Sequence, residues 1–346
     1  MTTRSRLLQP SRRLFLQGTA AFGAASLAAP SLVRAQSREL YINSWGGPWL
    51  EAAQAHLFEP FTAQTGIAIN AVSPVSFAKL AQQVQTGIYE FDVTTLGGGE
   101  IVRANQAGLL EDIPAPYDGG LFENGAASHA FATMLAWRTD KGWDATPQSW
   151  ADFWDVERFP GARSLQRYPA RVLPLALLAD GVAMEDLYPL DIDRAFAKLD
   201  EIKPYIQWWE TGAQPLEWLS SGSVAVTAAY NGRIAIANQQ GGHFPLIWNQ
   251  QLYSMDYWTI VKGSKNKAAA NAFITYANGQ APQQAFSQAI AYGVTNKALS
   301  DKLDPAKAPW IPTSPQNMAV AVPLNIEYWV DHGEELEERL NAWLAR

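Results

Sequence analysis

The residues of this chain that could do chemistry are few, and their spacing argues against catalysis. No cysteine occurs in 346 residues, which removes disulfides, thiolate metal sites, Cys-ligated iron–sulfur clusters and thiol nucleophiles. The four histidines, His56, His129, His243 and His332, stand apart from one another and from any carboxylate at a metal-binding interval. There is no Gly-x-Ser-x-Gly elbow. Gly97-Gly98-Gly99 follows a strand-like run, but it lacks the Gly-Lys-Ser/Thr of a phosphate loop and the spacing of a dinucleotide fingerprint. It reads either as a tight turn or as a helix N-terminus whose free N–H groups face a ligand. Carboxylate pairs such as Asp152/Asp155 and Asp191/Asp193, which a glycosidase would need, read as solvated helix starts. A binder is therefore favoured over an enzyme, and no cofactor or metal is expected. With 14 Trp, 12 Tyr and 14 Phe, some aromatics are expected to line a ligand site.

The elements that must position such a site alternate between strand and helix, the pattern of α/β architecture. Leu40 to Asn43 reads as a strand, and Pro48 opens a helix with Leu50, Ala53, Leu57 and Phe61 at helical spacing until Gly66. Ile67 to Val72 and Phe91 to Thr95 are further strands, each followed by a helix, from Phe77 and from Glu100. Three βα units in succession predict a mostly parallel sheet. In the middle of the chain, Trp150 to Trp154, Arg171 to Leu178 and Asp193 to Trp209 read as helices and Arg163 to Gln166 as a strand. Ser223 to Ala228 and Asp256 to Val261 are strands. Helices are expected at Arg233 to Gln239, Ala268 to Ala277, Pro282 to Ala289 and from Ile326 to the C-terminus. Without a Gly/Ser or Pro linker, two lobes would have to be joined by strands.

The first 35 residues read as an export leader. Arg4, Arg6, Arg12 and Arg13 form its basic region, Gly18 to Pro30 its weakly apolar run, and Val33-Arg34-Ala35 its cleavage site. Ser11-Arg12-Arg13-Leu14-Phe15-Leu16-Gln17 is similar to the twin-arginine motif, with its usual final lysine replaced. The apolar run is too short for a membrane span, and no Cys is available for a lipid anchor. Removing the leader's five arginines takes the formal charge from −7 to −12, which speaks against nucleic acid as a partner. The implied product is a free, acidic protein of the periplasm.

The order of motifs resembles that of polyamine-type solute-binding proteins of ABC importers, the spermidine/putrescine-binding family. After the leader come Asn43-Ser44-Trp45, Phe61-Thr62-x-x-Thr65-Gly66, Lys79-Leu80 and Tyr89-Glu90-Phe91-Asp92-Val93. Ser149-Trp150-Ala151-Asp152-Phe153-Trp154, Tyr230-Asn231-Gly232, Met255-Asp256, Lys265-Asn266-Lys267 and Tyr292-Gly293 follow in the same order. The resemblance implies a monomeric type II periplasmic binding protein with two α/β lobes, 36–135 plus 256–295 and 136–255 plus 296–346. Two hinge crossings, near 132–138 and 252–257, would join them, and membrane permease subunits would be the partner. Ligands of such folds lie beyond the carboxyl ends of strands, which places Ser44, Trp45, Thr95, Gly97 and Tyr230 at the cleft.

Carried over residue by residue, the resemblance gives Asp256 as an amine-holding carboxylate and Trp45 and Tyr292 as cleft aromatics, with Tyr230 where the family has a tryptophan. The family's second-lobe acidic pair is absent, and Tyr168 and Arg171 align with it. Arg233 adds another cation beside Tyr230. Arginines repel a diamine and pair with a carboxylate, so the expected ligand is a zwitterion with separated charges, such as γ-aminobutyrate. Putrescine or spermidine is the alternative, and a secreted carbohydrate-active enzyme or lectin is the reading from another class.

Overall fold

The computed structural model describes residues 39–113, 122–300 and 302–346; the export leader expected over 1–35 lies outside them. Ten strands occur among the described residues: β1 (Glu39–Asn43), β2 (Ala68–Val72), β3 (Val93–Gly97), β4 (Leu110–Glu111), β5 (Ala126–Trp137), β6 (Arg163–Gln166), β7 (Ile206–Trp209), β8 (Val226–Tyr230), β9 (Leu246–Val261) and β10 (Ala321–Pro323). They form one mixed sheet in the order β2-β1-β3-β9-β5-β8-β6-β7, with β4 and β10 also paired to β9. The βα units of each end are parallel, β2-β1-β3 on one side and β7-β6-β8 on the other. The long strands β5 and β9 run antiparallel between them, with register shifts at Ala127/His129 and Thr133/Leu135.

Alternation along β9 shows how the sheet is covered. Trp258 and Ile260 enter a core with Leu40, Ile42, Phe61 and Phe273, under the helices at 48–65 and 267–290. Tyr257 and Val261 point to the opposite face, against Leu80, Leu96 and Ile101. This is the period-two pattern of a strand buried on both sides. The other end has its own large core, built on Leu165, Val226 and Ala228 with helices Pro169–Ala179, Ile192–Ile202 and Ile326–Leu344. A smaller cluster around Ala229, Ile234 and Phe244 covers the reverse face there.

Local chemistry sets the boundaries. Gly66 ends its helix at φ 73°, a left-handed conformation that suits glycine. The Ser76 hydroxyl accepts from the Lys79 N–H at 3.3 Å, and Asp152 closes a capping box with Ser149. Asp92, buried between β1 and β9, accepts from Tyr41 N, Ser264 Oγ and Asn266 Nδ2 at 3.1, 2.7 and 3.0 Å. The Phe-Asp-Val and Lys-Asn-Lys motifs are thus two halves of one structural tie.

Three expectations need correction. The single helix expected over 193–209 stops at Ile202; a 3-10 turn holding Pro204 follows, and Ile206–Trp209 is a strand parallel to β6. Proline removes the N–H a continuing helix needs. Strand β3 begins two residues later than expected, and its helix already starts at Gly98. Finally, β9 extends ten residues upstream of Asp256, and the alanine-rich β5 had no strand signal beyond its place as a crossing.

Candidate functional site

The carboxyl ends of β1 and β3 from one side of the sheet, and of β6 and β8 from the other, converge on the middle of β5 and β9. Asp256 lies opposite Gly97 and His129 in the ladders of β3 and β5. It is 4% exposed, and Trp45 Nε1–H donates to its Oδ2 at 2.7 Å. Burial pushes its pKa up to about 7; the Glu100 carboxylate adds to this, while the Trp45 hydrogen bond and the Arg171 charge oppose it.

His129 is no counter-ion for this acid, although its Nε2 stands 3.6 Å from Asp256 Oδ2. Burial lowers the imidazole pKa to about 3, so it is neutral. Its tautomer follows from one hydroxyl proton. Ser128 Oγ–H donates to the Asp256 carbonyl at 2.9 Å, so at the 3.0 Å contact His129 Nδ1–H must donate to Oγ. Nε2 is then an acceptor, taking the Trp49 indole N–H at 3.4 Å. Tyr292 stacks on the same imidazole at 4.9 Å between centroids and 3° between planes.

The cationic side of the site comes from two helix starts. Arg171 lies in the first turn of Pro169–Ala179, 6% exposed, where the helix N-terminus adds positive potential. Its NH1 donates to Ser254 Oγ at 2.8 Å, its guanidinium lies 5.4 Å over the Phe131 ring, and its Nε is buried without a partner. Arg233 lies in the first turn of Asn231–Gln239, with NH2 donating to Gly46 O at 3.4 Å and Nε also buried and unpartnered. Among the described residues, neither arginine has a carboxylate within ion-pair distance, and Asp256 has no Lys or Arg there.

Phe131 is the aromatic centre. Tyr230 meets it edge-on at 5.4 Å, while Tyr292 and His129 lie tilted against it, each at 6.1 Å. The Tyr230 hydroxyl donates to Gln166 Oε1 at 3.0 Å. Of the residues expected from sequence, Trp45, Gly97, Arg171, Tyr230, Arg233, Asp256 and Tyr292 are thus linked around β5 and β9. Ser44 and Thr95 are fully buried at the strand ends beside them; Thr95 Oγ1 bonds Asn43 O at 3.3 Å, whereas Ser44 Oγ has no partner. Sequence reasoning missed Phe131, Gln166, Ser254 and Glu100, and read His129 as isolated. The only signal for His129 and Phe131 was their alternation with alanines in 126–132.

An α/β fold with charges of both signs gathered at strand ends is an arrangement that can hold a small charged solute. Residues 56–319 match the family described as Bacterial extracellular solute-binding protein, and the chain belongs to that family of binding proteins, which are not enzymes. A γ-aminobutyric acid-binding protein of Pseudomonas aeruginosa is 42% identical over 334 residues, covering 92% of this chain and 95% of the relative. The solved Atu4243-GABA receptor superposes with a TM-score of 0.81 at 33% identity, covering 89% of this chain and 98% of that one. The spermidine/putrescine-binding PotD of Streptococcus pneumoniae, at 16% identity and a TM-score of 0.69 over 89% of this chain and all of its own, shares the fold.

Proposed function

We propose that this chain captures γ-aminobutyrate in the periplasm and delivers it to the membrane permease of an ABC importer. The observation that carries the reading is the presence at the strand ends of a buried carboxylate, Asp256, and of two arginines, Arg171 and Arg233, that have no carboxylate at ion-pair distance among the described residues. A zwitterion with separated ends satisfies both: its ammonium goes to Asp256 and its carboxylate to the arginines, with the methylenes against Phe131, Tyr230 and Trp45. The names of the Pseudomonas relative and of the solved receptor support the same ligand. Two or three charge-assisted hydrogen bonds, each about 1.5–3 kcal/mol, with buried methylenes at about 0.8 kcal/mol each, are enough for micromolar binding at about −8 kcal/mol.

The liganded form is read as the closure of two lobes, 36–135 plus 256–295 on 136–255 plus 296–346, hinged on β5 and β9. Burial of Asp256 and Arg171 supports this, since a ligand reaches them only through an opening. The twin-arginine leader is the proposed export route. Calorimetric titration of the purified protein with γ-aminobutyrate, other amino acids, putrescine and spermidine tests the ligand. We expect γ-aminobutyrate to bind and Arg233→Ala to weaken it at least tenfold, the weight of one charged hydrogen bond, while any diamine binding is unchanged or tightened. If Arg233→Ala leaves γ-aminobutyrate affinity intact, the zwitterion reading is wrong.

A further inference from the structure

We propose that Glu100 is a second ligand-binding carboxylate, which with Asp256 makes the amine end a two-acid seat selective for a primary ammonium. The inference rests on the amine-binding reading of Asp256 given above. Glu100 stands in the first turn of the helix Gly98–Gln106 and reaches back so that Oε2 accepts the Gly97 N–H at 3.2 Å. Gly97 is the ladder partner of Asp256. A Cβ built on Gly97 would lie 3.6 Å from Asp256 Oδ1 and 3.8 Å from Glu100 Oε2, so the two acids flank the bare face of one glycine. Gly97 itself places no side chain between them.

The hydrogen bonds already made leave capacity on each acid. Trp45 engages Asp256 Oδ2 and the Gly97 amide engages Glu100 Oε2, which leaves Oδ1 and Oε1 for other donors. Among the described residues, no Lys or Arg forms an ion pair with either. Arg103, one turn on, lies over the Phe77 ring at 4.6 Å and acts on Glu100 through its charge without bonding it. An ammonium with three N–H donors fits two such acceptors, whereas a quaternary ammonium has no donor to offer. Both of these acids are shifted upward, with burial as the first cause; the Glu100 charge adds to the shift of Asp256, while Arg103 near Glu100 and Arg171 near Asp256 oppose the shifts. The other titratable and charged groups facing Asp256 are His129 from β5, Arg171 from the opposing helix, and Tyr230, Tyr257 and Tyr292. The imidazole and the phenols remain neutral near pH 7.

The test is Glu100→Gln, which keeps an oxygen for the Gly97 N–H and so preserves the helix start. Calorimetric affinities for γ-aminobutyrate and for putrescine are measured from pH 6 to pH 9 on wild type and variant, with circular dichroism as the folding check. We expect affinity at pH 8 to fall roughly tenfold or more, the weight of one charge-assisted hydrogen bond. We also expect the pH midpoint of binding to move down, because Asp256 loses a neighbouring negative charge. Selectivity for γ-aminobutyrate over its trimethylammonium analogue should shrink in parallel. Unchanged affinity, or a loss with the midpoint unmoved, overturns the proposal and reduces Glu100 to a helix cap. If wild type prefers putrescine, the zwitterion reading fails, while the Glu100 comparison is still read on the diamine. If wild type binds neither amine, both fall.

Discussion

At the scale of single residues, the site stores a conflict between binding and stability. Asp256 is the sharpest case, since its native pKa near 7 lies above the ordinary aspartate value of 3.8. Between those values the folded state holds a proton that the unfolded state has released, so stability falls as pH rises from about 4 to 7. His129 acts in the opposite sense over nearly the same range. Its native pKa near 3 lies below the ordinary 6.5, so the unfolded state takes up a proton first and stability falls as pH drops below about 6.5. Asp256→Asn should therefore abolish amine binding yet leave the ligand-free protein more stable than wild type at pH 8, on the order of a few kcal/mol. The gain should vanish toward pH 4. Chemical denaturation at pH 4, 6 and 8 checks this, and equal differences at all three would remove burial of that charge as the cause.

At the scale of elements, a tightly constrained contact is the turn after β8. Asn231 Nδ2 donates to Ala291 O at 2.6 Å, and its Oδ1 accepts the Ala132 N–H at 3.0 Å. One side chain thus joins β5, the turn and the end of helix Gln280–Ile290. Gly232 follows because a Cβ there would lie 2.5 Å from Ile290 O and 2.4 Å from the Tyr292 ring. Gly232→Ala should cost about 1–3 kcal/mol as an overpacking change and weaken ligand binding by displacing Tyr292 and Arg233 together. Thermal melts with and without γ-aminobutyrate measure both effects.

The same elements show what the sequence could and could not reveal. Helices such as 48–65, opened by Pro48 and closed by Gly66, were legible, as were short β-branched strands, whereas Gln214–Ser221, with Pro215 and Gly222 at its ends, was missed. Trp208 and Trp209 were misplaced because aromatic residues suit a helix face and a strand alike, and only Pro204 separates the two. β5 was hidden because Ala126, Ala127, Ala130, Ala132 and Ala136 carry helix propensity, and tertiary pairing with β8 and β9 overrides it. Arg171, Arg233 and Asp256 were proposed through resemblance and charge. Glu100 was not, because its interval of three from Gly97 is that of an ordinary cap.

At the scale of the molecule, two cores sit at opposite ends of one sheet, and β5 and β9 pass between them. Binding to the folded state alone adds RT ln(1 + [L]/Kd), about 2.7 kcal/mol at a hundredfold excess over Kd. γ-Aminobutyrate at that level should raise the unfolding free energy of wild type by this amount and that of Asp256→Asn by none. Differential scanning calorimetry across a concentration series distinguishes this from a nonspecific solute effect, which would not saturate in the same way.

One feature bears on the length of the cargo. Asp256, the proposed partner of the ammonium, and Ser254, which anchors Arg171, the proposed partner of the carboxylate, lie two residues apart on the same strand, β9. Two residues of strand span roughly 7 Å, and this interval is covalent. Along β9 the spacing between these two anchors is set by the backbone like the marks on a gauge. Homologues of γ-aminobutyrate one methylene shorter or longer would then be sorted by reach, before any difference in hydrophobicity counts.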